Sequence, residues 1–379
     1  MTRRTSRALA AVTVGAAAVM LAAPPAVADS IRDRQWHLAY LNVAAAHAQS
    51  QGDGVVVAVV DTGVNASHPD LAGNVLPGAD VSASGGTNGQ VDTDGHGTSM
   101  ASLIAGHGHG NGDGVLGIAP RAKIYPVRDS ANGRGHPADL GAGIEAAVRS
   151  GAKVISISQG GESDERLRAA IQTALAADAV VVASMGNKPD AKFPDFPAAY
   201  GTIVAVGATD QTGNVAPISM TGDPMVLSAP GVRIVSADKT GYNIADGTSD
   251  STAIVAGAAA LVRSKYPNLS AKEVVHRLTA TATDKGPPGR DPQYGYGVLN
   301  LVAALTADVP PLASSATPSR PATSAAPTTG ATNAAAPGKN KSDGSPSGTI
   351  VAVSAVVVLA AVGVAAWLLL RRRHQPPTS

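Results

Sequence analysis

The chain has 379 residues, no cysteine and nearly balanced charge, with 29 Lys and Arg against 28 Asp and Glu. That length is ample for one large or two medium domains, and the lack of cysteine excludes a disulfide framework, so a core alone must hold the fold. Six of the basic residues and none of the acidic ones lie in two terminal segments, which leaves the body net acidic and argues against a nucleic-acid partner.

Residues 1–28 open with Arg3, Arg4 and Arg7, run apolar from Ala8 to Ala23 and reach Ala26-Val27-Ala28 before Asp29. That order is a secretory signal peptide with a small-residue cleavage site. Residues 29–54 form an N-terminal extension, with a short helix expected around Trp36-His37-Leu38-Ala39-Tyr40-Leu41 and an end at Gly52-Asp53-Gly54. Val55 to Val60 is then six apolar residues without alternation, the pattern of a strand buried on both faces and hence of a parallel sheet. Asp61 ends that strand, at the carboxyl edge where open α/β sheets gather their chemistry. Next, His96 stands between Gly95 and Gly97 and opens a small-residue helix running to Gly106.

Further strands are expected at 122–127, 154–157 and 179–184, with helices at 138–150, 164–177, 252–266 and 271–280. Helices falling between apolar strands predict an α/β fold, a doubly wound, mostly parallel sheet with helices on both faces. The strand at 154 leads into Ser158-Gln159-Gly160-Gly161, and the strand at 179 into Met185-Gly186-Asn187. The loop Asp246-Gly247-Thr248-Ser249-Asp250 then feeds the small-residue helix, where Gly247 is expected to supply a tight turn. A serine at a helix N-terminus sits beside unpaired N–H groups that suit a developing oxyanion.

From 310 to 348 the composition falls to Pro, Ala, Ser, Thr and Gly, with Leu312 the only large apolar side chain. Such a linker cannot bury a core and reads as a stalk, with a reach on the order of 120 Å when extended. Residues 350–370 are 21 uncharged, apolar positions followed by Arg371-Arg372-Arg373. A helix of that length spans about 31 Å, enough for one membrane crossing, and the arginines place the 371–379 tail in the cytoplasm.

Asp61, His96 and Ser249 supply an acid, a base and a nucleophile in the chain order Asp, His, Ser. Three blocks carry them: Val59-Val60-Asp61-Thr62-Gly63-Val64 with His68-Pro69-Asp70-Leu71, then Asp94-Gly95-His96-Gly97-Thr98, and Gly247-Thr248-Ser249 with Val255-Ala256-Gly257. In this order they resemble the subtilisin-type serine peptidases, over about residues 36–302. The resemblance implies a peptidase domain at 55–309 that hydrolyses peptide bonds of polypeptide substrates, with Asp61, His96 and Ser249 catalytic. It further implies Asn187 as the oxyanion-hole donor, although taken alone this Asn reads as a loop cap, and Ser158, Gln159 and Gly160 as substrate-binding. No metal or organic cofactor is expected. His68, before a proline, reads as structural, and His107 and His109 as part of a solvated glycine-rich loop rather than a metal site.

Two positions depart from the family pattern. Asp250 follows the nucleophile where an apolar or small residue is usual, and Ala253 replaces a proline. The new carboxylate can raise the pKa of His96, face solvent, or bind a basic substrate side chain. Signal peptide, stalk, single span and basic tail together resemble the mycosins, membrane-anchored subtilases associated with type VII secretion in actinobacteria. That resemblance implies a cell-membrane protein with an extracytoplasmic catalytic domain, the type VII machinery as a partner, and an extension that wraps the body. Mycosins that carry disulfides differ from this cysteine-free chain. The alternatives are a weakly active or inactive subtilase-fold scaffold in a secretion complex, or a general cell-surface peptidase.

Overall fold

The computed structural model describes residues 31–312, apart from Ser84 and 132–135. The expected signal peptide, most of the linker, the span at 350–370 and the tail lie outside these residues. Among the described residues no helix is long and apolar enough to cross a membrane.

The chain runs through two short helices, α1 (Trp36–Tyr40) and α2 (Val43–His47), then strand β1 (Val56–Asp61) and the two-residue β2 (Ala79–Asp80). Helix α3 (His96–Ala105) and a hairpin of β3 (His107–His109) and β4 (Asp113–Leu116) follow. Next come β5 (Lys123–Arg128), α4 (Pro137–Arg149), β6 (Val154–Ile157), α5 (Glu165–Ala176), β7 (Val180–Ser184), β8 (Val204–Thr209) and β9 (Met225–Pro230). A second hairpin, β10 (Ile234–Ala237) with β11 (Tyr242–Ala245), precedes α6 (Thr248–Lys265), α7 (Ala271–Ala280) and α8 (Leu301–Thr306).

Seven strands pair in the order β2-β5-β1-β6-β7-β8-β9, and every pairing is parallel. All their carboxyl ends therefore lie at one edge. Side chains alternate across the sheet with period two, and β1 shows both faces buried. Val57 and Val59 pack on the side of α3 and α6, whereas Ala58 and Val60 pack with Ile144 of α4 and Ile171 of α5. The absence of alternation in 55–60 is thus explained by two helical layers, one on each face.

Helix α6 is buried almost all round, as a helix apolar on every side must be. Its small residues allow close approach: a Cβ on Gly257 would stand 2.7 Å from the Cβ of Ile118. The helix starts four residues earlier than the sequence suggests, so Ser249 lies in its first turn rather than in the preceding loop. The cause is tertiary. The Asn187 Oδ1 accepts the Thr248 N–H at 2.9 Å, an N-terminal cap supplied by a distant turn. Gly247 is also not the tight-turn residue expected, because its φ of −173° is ordinary extended backbone.

The glycine-rich stretch after α3 is another correction. It forms the β3–β4 hairpin, held by the N-terminal extension, whose Ile31 N–H donates to Asp113 Oδ1 at 3.0 Å and whose Gln35 exchanges bonds with Leu116 at 2.8 and 3.1 Å. The extension continues across the body through Trp36 Nε1 to Val232 O at 3.0 Å and Ser50 Oγ to Leu261 O at 3.0 Å. His37 is completely buried there, and desolvation lowers its pKa to about 3, so the ring stays neutral.

Candidate active site

The parallel sheet brings three turns to one edge. Asp61 closes β1, Ser158 follows β6, and Asn187 follows β7. The N-termini of α3 and α6 meet the same edge and carry His96 and Ser249. His96 and Ser249 line one cavity of about 450 Å³ with Ser158, Gly160 and Asn187. A second of about 350 Å³ shares His96, Asn187 and Ser249 and adds Met100 and Asp250. A larger hollow of about 680 Å³ lies between α7 and the β7–β8 region and contains none of these side chains.

Asp61 is fully buried, and its carboxylate accepts from His96 Nδ1 at 2.8 and 3.0 Å. The Thr62 N–H holds the same carboxylate at 2.8 Å. This pairing puts the proton on Nδ1 and leaves Nε2 of the neutral ring as the acceptor. Burial opposes a charged imidazole, but Asp61, Asp250 and Asp94 together outweigh it and raise the His96 pKa to about 9.

The Ser249 hydroxyl donates to Ser158 O at 2.8 Å, and Ser158 Oγ returns a bond to Ser249 O at 3.1 Å. Nucleophile and base thus share a cleft while the serine hydrogen bond is made to the neighbouring turn, an arrangement common before substrate binds. The Asn187 carboxamide is oriented through its oxygen, which accepts from both the N–H and the Oγ1 of Thr248, at 2.9 and 3.0 Å. Its Nδ2 remains as the donor. A Cβ on Gly247 would reach within 3.5 Å of that nitrogen and 3.3 Å of Asp250 Oδ2, so a side chain there would border both groups.

Residues 52–297 match the Peptidase S8 family, the subtilases. The chain belongs to the subtilase family. Subtilisin DY of Bacillus licheniformis is 39% identical over 260 residues, covering 67% of this chain and 92% of that protein. Among solved structures, MycP1 from Mycobacterium smegmatis shares 31% identity at a TM-score of 0.65, covering 75% of this chain and 87% of that one. MycP3 protease from the type VII (ESX-3) secretion system shares 34% at 0.62, covering 72% and 88%. The protein is accordingly a subtilase serine endopeptidase by family, with mycosins as structural neighbours.

In this subtilase the predicted site residues come together. Gln159 lines the same cavity, and its side-chain Nε2 bonds Asp129 Oδ2 and Val60 O. Asp129 was not foreseen. It is 1% exposed, its N–H donates to Asp61 O at 2.9 Å, and burial raises its pKa to about 7. Asp92 was also missed. Its two oxygens accept from Thr62 Oγ1, the Asp94, Gly95 and Thr98 N–H groups and Thr98 Oγ1, at 2.6 to 3.0 Å, tying the end of β1 to the start of α3.

Asp250 is 2% exposed and lies in the first turn of α6, with Oδ1 lacking any hydrogen-bond partner. Burial raises its pKa, and His96 opposes the rise. Of the three options for this residue, solvent exposure is excluded. The histidines of the hairpin region are engaged: His109 Nδ1 contacts Asp70 Oδ1 at 2.6 Å, and His107 Nε2 contacts Ala72 O at 3.0 Å. His68 is buried, with Nε2 3.1 Å from Gly241 O.

Proposed function

We propose that this subtilase hydrolyses peptide bonds through Asp61, His96 and Ser249, as a membrane-anchored, extracytoplasmic enzyme of mycosin type. The observation that carries the reading is the Asp61–His96 pair at 2.8 Å, set in one cleft with Ser249 and an oriented Asn187. Ser249 Oγ turns from Ser158 O to His96 Nε2 and attacks the scissile carbonyl as His96 accepts its proton. Asp61 keeps the proton on Nδ1 and stabilises the imidazolium. His96 then protonates the departing amine, and water releases the acyl group by the same route in reverse. Asn187 Nδ2 and the Ser249 N–H receive the oxyanion, the carboxamide contributing about 3–4 kcal/mol.

Basic start, apolar run and small-residue cleavage site support export, and the 21-residue apolar stretch with its arginine stop supports anchoring. Likeness to MycP1 and MycP3 supports a role beside type VII secretion. Fluorophosphonate labelling of the full chain beside its Ser249→Ala variant tests the chemistry. Label on the parent alone is the expected result. A folded parent that takes no label would instead make this chain a scaffold of subtilase fold.

A further inference from the structure

The larger cavity beside Ser249 holds a charge that the triad does not use. It extends between the Ser158–Gly160 turn and the Gly186–Asn187 turn, and Asp195 lies in its lining. The backbone there is fixed on two sides. The Asp195 N–H donates to Met185 O at 3.1 Å, and Phe196 pairs with Gly161 in both directions at 3.0 and 3.3 Å. Held so, the side chain lies against two glycines. A Cβ on Gly160 would come 2.4 Å from Asp195 Cβ and 2.9 Å from Oδ2, and one on Gly186 would come 2.5 Å from Oδ2. The carboxylate thus fills space that side chains on either turn would occupy, flanked by main chain and by Ala191.

Among the described residues no hydrogen bond or ion pair engages this carboxylate. Lys188 and Lys192, on the same loop, are exposed and form no ion pair with it. Burial raises its pKa with no neighbour to offset the effect. An unpaired, half-buried carboxylate is costly until a cation joins it. The cavity also has a definite place in the reaction. Ser249 and Asn187 line it together with Ser158, Gly160 and Gly186, so an acyl group held on Ser249 has this cavity beside its own side chain.

We infer that this cavity receives the side chain immediately before the scissile bond and selects lysine or arginine there, with Asp195 as the counter-charge. The inference rests on the peptidase reading above. The alkyl stem of a long basic residue packs along glycine and alanine walls while its head pairs with the carboxylate. A neutral stem of equal length leaves the carboxylate desolvated and unpaired, and an acidic one repels it.

The test uses the full chain and four fluorogenic peptides that differ only at that position, as Lys, Arg, norleucine or Glu. Lysine and arginine should exceed norleucine in kcat/KM by about 10- to 100-fold, the range for one charge-assisted contact. In Asp195→Asn the lysine-to-norleucine ratio should collapse to a few-fold, and Asp195→Lys should shift preference to the Glu peptide. Fluorophosphonate labelling of Ser249 in both variants shows that each is folded. Norleucine cleaved as fast as lysine, or a lysine preference that survives Asp195→Asn, overturns the inference alone. A parent that neither labels nor cleaves any of the four peptides overturns the peptidase reading and the inference with it.

Discussion

Two sets of carboxylates in this protein are treated in opposite ways. Asp70, which lines neither active-site cavity, is fully buried and both oxygens are used, one by His109 at 2.6 Å and the other by the Val115 N–H at 2.7 Å. Asp178, beside α6, is likewise divided between Arg263 at 3.0 Å and the Ala271 N–H at 2.6 Å. In the cleft region, by contrast, Asp250 and Asp129 each keep an oxygen without a partner, and Asp195 has none at all among the described residues. Burying a carboxylate without partners costs stability. Where all acceptors are filled the group supports the fold; where they are left open, as at Asp250 and Asp195 in the cavity walls, the charge remains for what binds or reacts there.

The comparison can be broken at several points, starting with the largest effect. Ser249→Ala should lower kcat/KM by about 10⁴-fold or more while leaving the melting temperature nearly unchanged, because the hydroxyl serves the reaction and its bond to Ser158 is replaceable. Comparable turnover in this variant would place the nucleophile elsewhere. Asn187→Ala should cost about 10²- to 10³-fold, mainly in kcat. Because Asn187 also caps Thr248, a second readout is needed, and a loss confined to thermal stability would make it a structural cap only.

On the satisfied side, Asp70→Ala leaves the Val115 N–H and His109 without their acceptor. It should destabilise the protein by about 2–4 kcal/mol, measured by chemical denaturation. The pH profile of turnover should keep its shape. A shifted profile without a loss of stability would show that this carboxylate is tuned to the reaction as well.

The smallest expected effect is the most diagnostic of the open carboxylates. His96 must be neutral to act as base, and its raised pKa of about 9 means that activity, full in alkaline solution, is lost as pH falls through that value. Asp250 favours the imidazolium, so Asp250→Asn should lower the His96 pKa and move the acid limb of kcat/KM downward, on the order of one pH unit. An unchanged limb would mean that Asp250 carries no charge near the ring while catalysis proceeds.

Much of the site was legible because its residues sit in local patterns. An unalternating apolar run ending in Asp61, a glycine-flanked His96 and a serine ahead of an alanine-rich run each carry their context within a few positions. The helices at 138–150 and 271–280 were equally readable, since periodicity and flanking turns are local. The buried partner of Gln159 was not legible, because only packing shows that its amide faces Asp129. The hairpin at 107–116 was hidden because its composition is that of a loop, while the pairing depends on the extension some 80 residues away.

From sequence alone came the α/β class, the order of the three motif residues, the expected export and anchoring segments, and the unusual Asp250. All rest on short-range patterns or on composition, which a linear chain displays. The tertiary structure decided that α6 begins at Thr248, because its cap is the side chain of Asn187 from another strand's turn. It also decided that Asp195, an ordinary loop aspartate in the sequence, stands between Gly160 and Gly186 beside the nucleophile. Those facts concern which distant backbones meet, and that follows from how seven parallel strands stack their carboxyl ends along one edge.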